Sequence, residues 1–147
     1  MSVAENKNFA ASIDDWVKQT EQRMTAVFRE STKRVASIAN NGVPIDTGFA
    51  KDSIQASTES MPQINPNKKG EKGQTYSTNA FGQVVLVING ATLGQTIYVG
   101  WTAAYMLPLE FGHSKQAPAG FVRLAAAQWQ HTVDQVTAEA KARSGAQ

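Results

Sequence analysis

Apolar side chains return every three or four residues through the first third of the chain. Phe9, Ile13, Trp16, Val17, Met24, Val27, Phe28, Val35 and Ile38 fall on one stripe of a helical surface, with no proline between Met1 and Gly42. The pattern predicts a helix over about 9–41, thinning at Thr20. Asn40-Asn41-Gly42 is its stop, since Asn and Gly tolerate the left-handed turn that ends helices. The last third repeats the period in Phe121, Leu124, Ala125, Trp129, Val133, Val136 and Ala140, predicting a helix over about 118–143 that opens at Pro118. The three tryptophans, 16, 101 and 129, are read as core residues of these elements.

Between the helices the period shortens. Gln83–Ile88 and Thr96–Trp101 are rich in Val, Ile and Tyr, as strands are, and Asn89-Gly90 and Gly94 lie between them. They are expected to form a hairpin, with a weaker strand at Ser53–Ser57. A short helix over about 103–110 is limited by Pro108. The expected fold is therefore α+β in a single domain spanning 1–147. A long N-terminal helix comes first, then a small antiparallel sheet region at about 43–102, and a C-terminal helix packed on the sheet. A flexible loop at 61–82 carries Pro62, Pro66, Gly70, Gly73 and Gly82 around Lys68, Lys69 and Lys72. Structureless loops of this length are usually functional or disordered. Here the loop is expected to order against a neighbouring subunit or partner.

Composition narrows the function. Hydrophobic residues make up 41% of the 147 positions and charged ones 18%, against about 25% in an average globular chain. The formal charge of +2 is too small to suggest a nucleic-acid binder on charge alone. Without cysteine the chain has no disulfides, thiolate metal ligands or cysteine nucleophile, which fits synthesis in a reducing compartment. The polar start and the short apolar runs predict a soluble intracellular product without a membrane role.

Candidate chemistry is sparse. Asp46-Thr47-Gly48 is the triplet of aspartic proteases, which pair two Asp carboxylates around one proton and a water. A dimer could assemble such a pair from Asp46, but those enzymes are nearly all strand and this chain reads as half helix. The alternative is a turn in which Asp46 or Thr47 caps and Gly48 takes a conformation closed to other residues. His113 and His131 lack further ligands at metal spacing and read as surface residues. Glu110, after a mostly apolar segment, is expected to be partly buried with Arg123 or Lys115 as its ion-pair partner. No catalytic, cofactor or metal site is expected.

The ordered set of motifs resembles a known family. Asp46-Thr47-Gly48 with Ser53-Ile54 comes first, then a strand ending Tyr98-Val99-Gly100. Tyr105 with Glu110-Phe111-Gly112 follows, and Pro118-x-x-Phe121 opens the last helix. Together, from about Val43 to Ala127, they resemble the tail-completion or tail-terminator (neck, head–tail joining) proteins of long-tailed bacteriophages. The chain departs from that pattern at His113, where the family usually has Thr, and at Phe49–Lys51, which lacks the Leu-Arg pair.

The resemblance implies a virion protein and not an enzyme. It would form a ring with copies of itself, a hexamer to match the tail tube, assembled in the host cytoplasm and placed at the neck. There it would cap the tail tube protein and meet the head–tail connector or stopper protein. Lys68, Lys69 and Lys72 would face a neighbour, or DNA passing through the lumen. A head-side connector or stopper, or another minor tail protein, is the neighbouring alternative.

Overall fold

A computed structural model describes residues 3–77, 79–112 and 120–145, without the side chains of 3–6 and 144–145. Helix α1 runs unbroken over Val3–Asn41, 39 residues or about 58 Å at ~1.5 Å per residue. It stops where expected: the Gly42 amide donates to the Ile38 and Ala39 carbonyls. The Asn40 side chain turns inward and its Oδ1 accepts a 3.2 Å bond from the Trp101 indole N–H.

Two four-residue elements follow, helix α2 (Phe49–Asp52) and strand β1 (Ile54–Ser57). Helix α3 (Phe81–Gly90) precedes strand β2 (Tyr98–Trp101). The C-terminal part holds α4 (Met106–Glu110), α5 (Val122–Ala126) and α6 (Trp129–Gly145). Strands β1 and β2 pair antiparallel with Ile54 opposite Trp101 and Ser57 opposite Tyr98. The class is α+β and mostly helical.

The strand expected at Gln83–Ile88 is instead α3, so the hairpin is replaced by a β1–β2 pair distant in sequence. Val84 to Ile88 is apolar at every position, and such a run fits either period. Burial settles it: Val84 and Ile88, one helical turn apart, are fully buried while Leu86 between them is 66% exposed. The expected single C-terminal helix is also two. Gly120 takes a left-handed φ of 86°, so helix cannot run through it, and α5 begins after Phe121. Pro118 lies outside the described residues. At the α5–α6 joint the Gln128 amide closes onto Ala125, three residues back.

Phe121 and α5 meet the sheet at Trp101, whereas α6 lies along the C-terminal half of α1. There Arg34 makes two bonds to the Glu139 carboxylate, at 2.7 and 3.1 Å, and a third to Glu30 at 3.0 Å. The core gathers Ala39, Val43, Ile54, Val84, Ile88, Trp101, Met106 and Phe121. Of the tryptophans only Trp101 is a core residue. Trp16 is 66% exposed because nothing among the described residues covers its face of α1, and Trp129 is 42% exposed at the open groove between α1 and α6.

The described residues of the 61–82 segment are irregular up to α3 and are stitched to the body. The Asn65 amide donates to the Thr102 carbonyl, and the Ala104 amide donates to Lys68 O. The Tyr76 amide donates to Thr47 O, and the Tyr76 hydroxyl accepts from the Glu71 amide.

Candidate functional site

The motif residues converge on α4, a five-residue helix with a polar junction at each end. At its C-terminal end sits Glu110, 9% exposed. One carboxylate oxygen accepts from the Phe121 and Val122 amides at 2.9 and 2.8 Å. The other accepts from the Arg123 amide and Nε, both at 3.0 Å. Glu110 thus serves as the N-terminal cap of α5 from another element, taking up amides that a starting helix leaves without partners. Arg123 returns a 2.6 Å bond to the Glu110 carbonyl and lies 4.9 Å over the Phe111 ring. Of the two expected partners, Arg123 is the one observed; Lys115 lies outside the described residues.

Gly120 is required here in a way composition does not reveal. A Cβ at that position would fall 2.6 Å from the Glu110 carbonyl oxygen and 2.7 Å from Oε1. The only sequence signal for it was a glycine directly before the buried Phe121.

Burial pushes the Glu110 carboxyl up, but the three backbone N–H bonds and the Arg123 bond outweigh it and hold the group below the ordinary glutamate range. A carboxyl depressed in the folded state stabilises the fold above its unfolded value, about 4.3, and that stabilisation is lost as pH falls through the lower native value. Urea titrations should therefore show stability falling below about pH 4. Glu110→Gln should flatten that fall; an unchanged slope would mean the ionised carboxylate contributes nothing.

The Asp46-Thr47-Gly48 turn lies toward the other end of α4. Gly48 has a φ of 87° and precedes α2, where the Asp52 amide donates to its carbonyl. The Thr47 carbonyl accepts from Tyr76, and the Phe49 ring packs edge-on against Tyr76 with centroids 4.9 Å apart. Tyr105 closes a cavity of about 230 Å³ over Asp46, Thr47 and Phe49. Burial first, then the Asp46 charge, push the Tyr105 hydroxyl up. Asp46 itself is exposed on a bend. The triplet acts here as a turn.

Ser53 links the turn to the sheet. Its hydroxyl donates to the Ala50 carbonyl at 2.6 Å and accepts from the Ala103 amide at 3.2 Å. Thr102 bonds back to the Ser53 carbonyl through its amide and hydroxyl, and Lys68 Nζ reaches Thr102 Oγ1 at 2.8 Å. Lys69 and Lys72 are exposed and do not join this network. Phe111 is 61% exposed beside the junction, and Gly112 takes a φ of 85°. His113 lies outside the described residues, and His131 is exposed on α6.

Each of these buried polar groups is bound mainly to main-chain atoms. That arrangement fixes backbone segments against one another. No metal-holding group of three His, Asp or Glu side chains occurs among the described residues, and no described helix is long and apolar enough to cross a membrane. Comparison with protein-family models, curated proteins and solved structures finds no match to this chain.

Proposed function

We propose that this chain is a structural protein of a phage neck, a ring-forming tail terminator or tail-completion protein that caps the tail tube and joins it to the head connector. The observation that carries the reading is where the motif residues meet. Thr47, Ser53, Tyr105, Glu110 and Phe121 come from far-apart segments and tie α2, β2, α4 and α5 together, with Asp46 exposed on the bend beside them. Residues spent this way support a scaffold whose surface is its function.

The surface fits that role. Leu86, Leu107, Phe111 and Leu124 are each more than half exposed, and a charge content of 18% suits the charge-poor centres of large interfaces. Subunits in a closed ring cover such patches on one another and satisfy their free strand edges. Lys69 and Lys72, exposed on the 61–82 segment, would face a neighbour or the DNA in the lumen.

A label placed after Ala142 and located by class-averaged electron microscopy of the parent particles tests the proposal. The expected result is ring density where tube meets head. Sixfold symmetry assigns the terminator position, and twelvefold symmetry moves the protein to the head-side connector. Particles that carry no label overturn the reading.

A further inference from the structure

The first half of α1 is amphipathic, yet only its second half is covered. Phe9, Ile13, Trp16, Val17 and Met24 share one face at ~100° per residue and are 41–66% exposed. Lys7, Asp14, Asp15 and Lys18 lie on the opposite side, and Glu21 and Arg23 flank the stripe. Helix α6 faces the continuation of the stripe from Met24 onward, and Met24 belongs to both the stripe and the groove between the two helices. There the two helices and Leu93 enclose an open apolar groove of about 620 Å³, lined by Met24, Val27, Phe28, Trp129 and Val133. Stripe and groove are thus one continuous apolar track along one helix.

We infer that the track is covered by a second copy of this chain, with the two α1 helices antiparallel and crossing at Trp16–Val17. In that register each copy's Phe9 lies beside the partner's Met24, at the mouth of the groove. One contact then covers both stripes and both grooves.

Charge and area favour this occupant. Over residues 7–24 three cations (Lys7, Lys18, Arg23) balance three anions (Asp14, Asp15, Glu21). Two copies therefore do not repel one another. An amphipathic helix that binds anionic membranes carries mainly Lys and Arg on its polar face, and this one does not. The five exposed stripe side chains offer roughly 500 Å² per copy, and the groove walls bring the total from both copies to about the 1,200 Å² at which specific interfaces begin. The contact is two-fold, so it is separate from ring contacts, and its failure leaves the neck reading standing.

Sedimentation of the purified chain at micromolar concentration should give a mass near twice 15.8 kDa. Trp16→Asp places a charge at the crossing in both copies and should raise the dissociation constant at least about 100-fold. Far-UV circular dichroism should stay unchanged, because Trp16 touches no core. The register is read by disulfide formation, since the chain has no cysteine of its own. Phe9→Cys mixed with Met24→Cys should cross-link, and neither should do so alone. A monomeric mass, a mass that Trp16→Asp leaves unchanged, or self-cross-linking of Phe9→Cys would each overturn the inference.

Discussion

Glu110→Ala should cost about 3–5 kcal/mol of unfolding free energy, at about 1–3 kcal/mol for each donor left without its acceptor. Three amides at the start of α5 would lose their acceptor together, and Arg123 would keep only its bond to a carbonyl. Since whole domains are stable by only about 5–15 kcal/mol, much of the population should unfold in mild urea. Glu110→Gln keeps the shape and one acceptor oxygen but no charge, so it should fall between wild type and alanine. Equal stability of alanine and wild type in urea titrations would remove the junction from any account of this fold.

Phe121→Ala should be as damaging for a different reason. The ring is 3% exposed and stands edge-on to Trp101 with centroids 5.2 Å apart. Its Cβ also packs closely on Gly42, at the end of α1. Truncation leaves a cavity where α1, β2 and α5 meet, at about 3–5 kcal/mol, to which the aromatic pair adds about 0.5–1.5 kcal/mol. Leu124, in the same short helix but 51% exposed, provides the contrast. Leu124→Ala should stay within about 0.5 kcal/mol of wild type by thermal unfolding. A Phe121→Ala melting temperature as high as that of Leu124→Ala would put the contact at Trp101 in doubt.

The N-terminal helix was legible because a long periodic stripe and an Asn-Asn-Gly stop are local signals, whereas the stripe at the C-terminal end hid the break between α5 and α6. The need of Glu110 for a cation was legible too, since an acid after an apolar segment requires one nearby, but the sequence left Arg123 and Lys115 as equal partners. The middle was not legible. A run without polar residues has no period to read, and only packing against β1 and α1 shows that Val84 and Ile88 form a helical face. That misreading also gave β2 the wrong partner, because strand pairing follows whichever neighbour remains. The exposure of Trp16 and Trp129 was hidden for a related reason. Periodicity identifies an apolar face but says nothing of whether the same chain has enough elements to cover it.

The register that sets Ile54 against Trp101 has a kinetic consequence. The two strands are joined by a connection of about forty residues, and a contact so distant in sequence must cover the loop-closure entropy before it gains anything. Helix α3 lies inside that connection and packs on β1. Once docked, it holds the far end of the loop close to its target and shortens the remaining search. Substitutions in α3 such as Ile88→Val should then slow refolding more than they speed unfolding, whereas changes on α6 should act chiefly on the unfolding rate. The order of assembly would run from the middle of the chain outward, with the two-stranded sheet closing only after a helix has prepared the place for it.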